Sequence, residues 1–213
     1  MTKAALLAMH YQNDVLHVDG KVRVGVAADD PARPRLIASA ARLIAGARAS
    51  GVPVIFVRIA FAPGYADCLR NSMLFRRVAE TGAVLDGQWG AEFYGELAPL
   101  PGEAIVTHKR NNPFWASGLE EVVRSTGATR LYVAGIATNH VVEHGARHAS
   151  DLGYDVAVVA DACSTAQPHL HAASLETLAM LADVMRVDEA IARMKNDEVP
   201  QDMKEAKQSK DRP

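Results

Sequence analysis

The chain has 213 residues, of which 49% are hydrophobic and 23% charged, a composition that supports one globular domain with a single core. Its formal net charge of −2 argues against a nucleic-acid partner, because phosphate recognition requires a clustered excess of lysine and arginine. No apolar run is long enough to cross a membrane, and the first residues lack a secretory signal pattern, so we expect a cytoplasmic protein with no membrane partner. Cys68 and Cys163 are too few for a disulfide framework.

Short apolar runs alternate with helical patterns along the chain, an order typical of βαβ units in a parallel sheet. Most runs are continuously apolar, as expected where helices cover both faces of the sheet. The six predicted strands are residues 4–9, 52–59, 104–107, 130–134, 155–160 and 183–187. The predicted fold is therefore α/β, a three-layer αβα, Rossmann-like arrangement with a six-stranded, mostly parallel sheet and helices on both faces.

The segments between the strands differ in character. Apolar residues recur at helical spacing over 36–47, and further helices are predicted over about 138–152 and 168–181. Segment 61–101 holds five glycines among aromatic residues and is too long for a plain connection, so it either covers a substrate or forms irregular packing or subunit contacts. We expect one domain over residues 1–195 and a disordered polar tail over 196–213.

Candidate chemistry lies where the predicted strands end, since ligands of open parallel sheets bind beyond the carboxyl ends of the strands. His10 follows the first strand, and His108 and Lys109 follow the third. Histidine can act as acid or base near neutral pH, and an ammonium group can stabilise negative charge, so His10 and Lys109 form a candidate catalytic pair. Residues 135–139 follow the fourth strand and lead into a helix whose first N–H groups could hold an anion. The alternative is that these are solvated residues at strand ends.

Four blocks of the sequence resemble the isochorismatase-like hydrolases, the superfamily that includes nicotinamidases and N-carbamoylsarcosine amidohydrolases. The blocks are LLAMHYQND at 6–14, VTHKRNNPF at 106–114, GIATNHVVE at 135–143 and ARHASDLGY at 146–154. With DAC at 161–163, the resemblance extends over nearly the whole chain to about residue 187. Each block is weak alone, but together they are specific.

The resemblance implies a triad of Asp, Lys and Cys, in which the carboxylate deprotonates a thiol that attacks an amide-like carbon. Lys109 matches the lysine, whereas His10 stands at the aspartate position and Val141 at the cysteine position. Valine has no nucleophilic atom, so a thioester intermediate at this position is excluded. Isochorismatases proper act without the cysteine, by protonating a vinyl ether and adding water.

The predicted function is thus hydrolysis of a small organic molecule, an amide, imide or vinyl ether, by a noncovalent route assisted by His10 and Lys109, with no cofactor. The alternative is a catalytically inactive homologue that binds a small molecule or supports an assembly. The resemblance further implies a homo-oligomer, a dimer or tetramer.

The resemblance also places substrate-binding residues around the predicted turn. It implies a cis peptide bond between Ile136 and Ala137, which would direct backbone N–H groups toward a substrate. The other predicted substrate-binding residues are Gln12, Phe114, Trp115, Thr138, Asn139 and Val141. Gln12 could equally cap a turn, and the two aromatic residues could equally belong to the core or to subunit contacts.

Residues 140–144 read HVVEH, which matches the H-x-x-E-H pattern of a class of zinc peptidases. On a helix, His140, Glu143, His144 and His148 share a polar face opposite small apolar residues. We expect the apolar face to pack on the sheet and the polar face to meet solvent or another subunit. No third ligand is evident, so no metal is expected.

Overall fold

A six-stranded parallel sheet forms the centre of the computed structural model, which describes residues 3–197. The strands are β1 (Ala4–Met9), β2 (Val54–Ile59), β3 (Ala104–His108), β4 (Arg130–Gly135), β5 (Asp155–Val159) and β6 (Asp183–Met185). Their order is β3-β2-β1-β4-β5-β6, and every neighbouring pair is parallel. The predicted fold class is confirmed. The chain runs from β1 outward to β2 and β3 and later returns to β4, so the order reverses between β1 and β4, where ligands bind in such sheets.

Helices accompany the sheet on both faces. They are α1 (Asn13–Leu16), α2 (Arg33–Ala49), α3 (Met73–Thr81), α4 (Leu119–Thr126), α5 (Glu143–Asp151), α6 (Pro168–Leu178) and α7 (Val187–Asp197). Helices α2 and α7 contact each other, and so do α5 and α6. Because β1 is covered on both sides, all six of its residues are buried, which explains its continuous apolar sequence.

The predicted strands agree with the structure within two residues at each end. Segment 61–101, in contrast, contains regular elements that the sequence analysis does not predict. This segment contains α3 and three short 3₁₀ turns at Pro63–Tyr65, Trp89–Ala91 and Gly95–Leu97. Ser72 caps α3 by accepting the Phe75 N–H at 3.4 Å, and Gly82 ends the helix with a φ of 65°. Both are helix-boundary signals that the sequence carries.

The last helix extends beyond the predicted end of the domain at residue 195. Helix α7 continues to Asp197, whose carboxylate accepts hydrogen bonds from Arg130 Nη1 at 2.7 Å and from the Tyr132 hydroxyl at 2.9 Å. Residues 196 and 197 therefore belong to the domain, and the remainder of the predicted tail, 198–213, lies outside the described residues. Within residues 3–197, no helix is long and apolar enough to cross a bilayer.

Two separate clusters of buried apolar side chains hold the fold together. The main core lies between the sheet and its helices. A smaller cluster lies within segment 61–101 and consists of Phe61, Tyr65, Cys68, Phe75, Val78, Ala83 and Val84. The first part of the segment, 61–84, thus has its own apolar contacts, whereas Leu97 belongs to the main core. We call residues 61–101 the wall segment.

Candidate active site

Two histidines meet at the carboxyl edge of the sheet. His10 follows β1 with a φ of 58°, and His108 is the last residue of β3. The two side chains reach each other across the end of β2, which lies between their strands, and their Nε2 atoms are 2.5 Å apart. At this distance one imidazole donates a hydrogen bond and the other accepts it. His10 and His108 therefore form a hydrogen-bonded pair, which we call the histidine pair.

Both imidazoles are neutral at physiological pH because the protein buries them. Burial lowers the pKa of His10 well below its ordinary value, and the neighbouring His108 lowers it further, while a hydrogen bond with the Ile136 backbone acts in the opposite direction. Burial also lowers the pKa of His108 to about 3. Nδ1 of His108 is buried without a hydrogen-bond partner among residues 3–197. Both rings are consequently in the neutral form at neutral pH, and each is a weaker base than an exposed histidine.

The histidine pair borders a small cavity, lined by His10 and bounded largely by apolar side chains. Its volume is about 40 Å³, enough for about three water molecules at 10–15 Å³ each. The polar lining residues are His10, Arg110, Asn111 and His140; the apolar ones are Val15, Val22, Val24, Ile59, Leu74, Phe75, Val78, Val84, Ile136, Ala137 and Val141. Four of the apolar residues come from the wall segment, which favours the substrate-covering interpretation of 61–101.

Lys109 is directed away from this cavity. Its Nζ donates to the backbone oxygen of Ala60 at 2.6 Å and forms an ion pair with Asp67 Oδ2 at 2.6 Å. Strand β3 ends at His108, which contacts His10, and the chain bends at Lys109, whose side chain contacts Asp67 instead. The predicted pairing of His10 with Lys109 is not formed; His108 takes that place. Sequence reasoning also missed Asp67, because nothing in a glycine-rich segment indicates which carboxylate will contact the lysine.

The turn after β4 supplies three of the predicted residues to the cavity. The peptide bond between Ile136 and Ala137 is cis, as the resemblance implied. Ile136, Ala137 and Val141 all line the cavity, and Val141 is 1% exposed. The position at which the family resemblance implies a thiol therefore presents only methyl groups to the His10 cavity.

Thr138 and Asn139 lie beside the cavity but do not line it. Thr138 Oγ1 is 2.8 Å from His171 Nδ1, and Asn139 Oδ1 accepts a hydrogen bond from Thr165 Oγ1 at 2.8 Å. The backbone N–H of Thr138 donates to the Ser164 carbonyl at 2.8 Å. These groups hold the turn in place, and the expected anion cradle loses at least this N–H to an internal bond.

Gln12 is fully buried and fixes backbone segments to each other. Its Nε2 donates to the carbonyl oxygens of Ile59 at 2.9 Å and Ala91 at 2.8 Å, and its Oε1 accepts the Ile59 N–H at 2.9 Å. These amide hydrogen bonds join β2 to the wall segment, and the contact of Gln12 with substrate stays a prediction.

The aromatic side chain at the cavity is not one of the two predicted from the sequence. Phe114 is buried and stacks on His148, with ring centroids 5.0 Å apart, and Trp115 is 57% exposed. Neither residue lines the cavity, whereas Phe75 of α3 does. Proximity to Lys109 in sequence misled the prediction, since Lys109 itself points elsewhere.

The polar face predicted over residues 140–148 does not point uniformly outward. His140, which lies in the helical turn Thr138–Val142 just before α5, lines the cavity, contrary to expectation. Its pKa is lowered mainly by burial and further by the nearby His144. Glu143 pairs with Arg147 and accepts a hydrogen bond from Ser174 at 2.8 Å. Among residues 3–197, no group of three or more His, Cys, Asp or Glu side chains is arranged to hold a metal ion.

Burial of His108 has a consequence for stability that can be measured. Its pKa is about 3 in the folded protein and 6.5 in the ordinary case, so the unfolded chain binds the proton first as the pH falls. The contribution of this residue is complete above pH 6.5 and is lost as the pH falls toward 3. From about pH 7 to about pH 5, His108 should cost the native protein about 2 kcal/mol. Urea denaturation should show that the free energy of unfolding falls less between these two pH values in His108→Leu than in the wild-type protein. An equal fall in both proteins would contradict the lowered pKa of His108.

Fold and cavity together define an α/β protein with a cavity at the carboxyl edge of a parallel sheet. An isochorismatase domain model matches residues 4–189. The chain therefore belongs to the isochorismatase family.

Individual relatives agree with this assignment. The chain is 33% identical over 145 residues to the ureidoacrylate amidohydrolase of Pseudomonas syringae, covering 62% of this chain and 59% of that protein. It is 30% identical over 179 residues to the ureidoacrylate amidohydrolase of Stutzerimonas stutzeri, covering 78% and 72% respectively. An isochorismatase family protein from Burkholderia thailandensis superposes with a TM-score of 0.76 at 28% identity, covering 91% of this chain and 96% of that one.

Proposed function

We propose that this protein hydrolyses a small organic molecule by a noncovalent route in which the histidine pair activates water. The observation that carries the proposal is the 2.5 Å contact between Nε2 of His10 and Nε2 of His108 at the cavity. A neutral imidazole can remove a proton from water, and the second imidazole holds the first in position through the hydrogen bond between them. Val141 leaves no nucleophile at the family's cysteine position, so water itself must attack.

For an amide, the route proceeds in two proton transfers. His10 accepts a proton from water as the water oxygen attacks the carbonyl carbon, and it returns the proton to nitrogen as the C–N bond breaks. The hydrogen bond with the Ile136 backbone favours the protonated form of His10, whereas burial and His108 disfavour it, so the imidazolium is short-lived and returns its proton to the leaving nitrogen. Water thus contributes hydroxyl to the acid product and hydrogen to the amine.

Negative charge that develops on the carbonyl oxygen requires a partner, and Arg110 is suited to this role. It is the cation on the cavity lining, and its guanidinium lies over the Phe75 ring at 4.9 Å. Its Nη1 donates to the Leu69 carbonyl at 3.3 Å and its Nη2 to Asn71 Oδ1 at 3.1 Å. The guanidinium is therefore held in position before a substrate binds, which is the arrangement that stabilises developing charge most effectively.

The substrate panel follows from these considerations and from the names of the relatives. Ureido acids and simple amides come first, since two relatives are ureidoacrylate amidohydrolases, followed by imides and vinyl ethers. Product formation is followed by chromatography, and intact-mass spectrometry of the protein during turnover tests the route. Turnover without a covalent adduct supports the proposal. An acyl-protein adduct, on any residue, would overturn it.

Lys109 provides a prediction that separates this mechanism from one based on the family's lysine. Because Lys109 pairs with Asp67 outside the cavity, Lys109→Gln should reduce kcat by less than about five-fold, the range of one partly exposed ion pair. The comparison is Asp67→Asn, which breaks the same pair from its other side. A loss of 100-fold or more in the Lys109 variant alone would return the lysine to the mechanism.

A second candidate function is binding without catalysis. The observation in its favour is the lining itself, which among the described residues contains eleven apolar side chains, no carboxylate and no thiol. If no member of the panel is converted but one binds with unchanged affinity in His10→Asn, binding without catalysis is the better description. If any compound of the panel is converted by the wild-type protein but not by His10→Asn, the protein is an enzyme.

A further inference from the structure

A second cavity adjoins the one at His10. The two share Val22, Val24, Leu74 and Val78 in their linings, so they meet along one apolar strip. We call this second cavity the outer cavity and the one at His10 the inner cavity. The outer cavity has a volume of about 250 Å³, and the inner cavity has a volume of about 40 Å³. A molecule that fills both would be elongated, with a narrow end toward His10.

The outer cavity differs from the inner one in charge. Lys21, Arg23 and Arg77 line it, and no acidic residue does. Lys21 Nζ donates to the Gly82 carbonyl at 3.0 Å, and Arg23 donates to the carbonyl oxygens of His17 and Val18. These acceptors are neutral, and within residues 3–197 none of the three cations forms an ion pair with a carboxylate.

Three cations gathered around one cavity repel one another unless an anion lies between them. The histidines of the inner cavity add no positive charge at neutral pH, so its lining has one cation, Arg110, whereas the lining of the outer cavity has three. An elongated ligand would accordingly place its uncharged end at His10 and its anionic end outside.

We propose that the substrate is an elongated organic anion whose uncharged reacting group enters the cavity at His10 while its carboxylate or phosphate lies among Lys21, Arg23 and Arg77. The inference rests on the proposed function for the location of the reacting end. The anion site itself is defined by the outer cavity and is tested by binding alone.

Helix α3 offers a matched pair of variants. Arg76 and Arg77 are adjacent and both exposed, but only Arg77 lines the outer cavity, whereas Arg76 Nη1 donates to the Arg70 carbonyl at 3.2 Å. Hexanoate, hexanamide and hexyl phosphate serve as probes of the same chain length with and without charge. Isothermal titration calorimetry measures their affinities for the wild-type protein, Arg77→Gln and Arg76→Gln, at low and high salt.

We expect hexanoate to bind more tightly than hexanamide, and Arg77→Gln to weaken hexanoate by about two- to five-fold while leaving hexanamide unchanged. Arg76→Gln should change neither, and salt should reduce the preference for the anion. Tighter binding of hexyl phosphate than of hexanoate assigns a phosphate, and the reverse order assigns a carboxylate.

Three results would overturn the inference: equal affinities of the wild-type protein for hexanoate and hexanamide, equal effects of the two arginine variants, or no binding of any probe. The His10→Asn variant should retain the preference for hexanoate. A failure of the catalytic proposal therefore leaves this binding result intact, and a failure of anion binding leaves turnover at His10 intact.

Discussion

His10→Asn should lower kcat by about 100- to 10,000-fold, the range expected when a general base is removed from a hydrolytic site. Asparagine keeps polar character and tolerates a positive φ, which His10 adopts at 58°, but its amide cannot accept a proton near neutral pH. The backbone at the end of β1 should therefore remain in place while the chemistry is lost. Steady-state kinetics on the best substrate of the panel provide the measurement.

The control for this variant is His169→Asn, the same substitution at an exposed position of α6. It should leave kcat unchanged within error. Urea denaturation of the His10 variant should show a loss of about 1–3 kcal/mol for the missing contact with His108, too little to unfold the protein. If His10→Asn retains more than about a tenth of the wild-type kcat, the histidine pair is not the proton acceptor.

Gly135→Ala should reduce the free energy of unfolding by about 2–5 kcal/mol, the combined cost of backbone strain and overpacking. Gly135 has a φ of 153° and pairs with Met9 across β1 and β4. A Cβ added there would lie 2.3 Å from the Met9 carbonyl oxygen and 2.7 Å from Met9 Cβ, and neither atom can move without displacing the central strand. Chemical denaturation monitored by circular dichroism measures the loss.

Gly95→Ala is the matched control, because a Cβ at that position meets no atom within 4 Å. Its free energy of unfolding should stay within about 0.5 kcal/mol of the wild-type value. Should the two alanine variants prove equally stable, the close approach of β1 and β4 at Gly135 would not be essential to the fold.

The sheet could be predicted from the sequence because its strands are covered on both faces. A doubly buried strand reads as a continuous apolar run, and β1 was placed at its correct ends for this reason. The wall segment was harder, since α3 has only two buried residues, Phe75 and Val78, and a short helix with few buried positions gives a weak periodic signal. Its cap at Ser72 and its terminal Gly82 were the better indicators.

The sequence places the candidate residues at the edge of the sheet where the cavity lies, but it pairs His10 with Lys109, whereas the structure pairs it with His108. Sequence position fixes which residues follow a strand, and this was enough to nominate His10, His108 and Lys109 together. It does not fix the side to which each residue points, because a shift of one residue exchanges the two sides. The identity of the partner, His108, depends on the register of β3 against β2, where His108 lies opposite Ile59.

The wall segment has its own apolar cluster, so the residues that shape one side of the cavity are largely separate from those that hold the sheet and its helices together. Substitutions among the seven residues of that cluster would reshape one side of the cavity while the contacts between the sheet and its helices stay as they are. Phe75, Val78 and Val84 belong to the cluster and also line the cavity. Natural variation or directed evolution could therefore change the shape of the cavity through substitutions in this cluster while the sheet and its helices keep their packing.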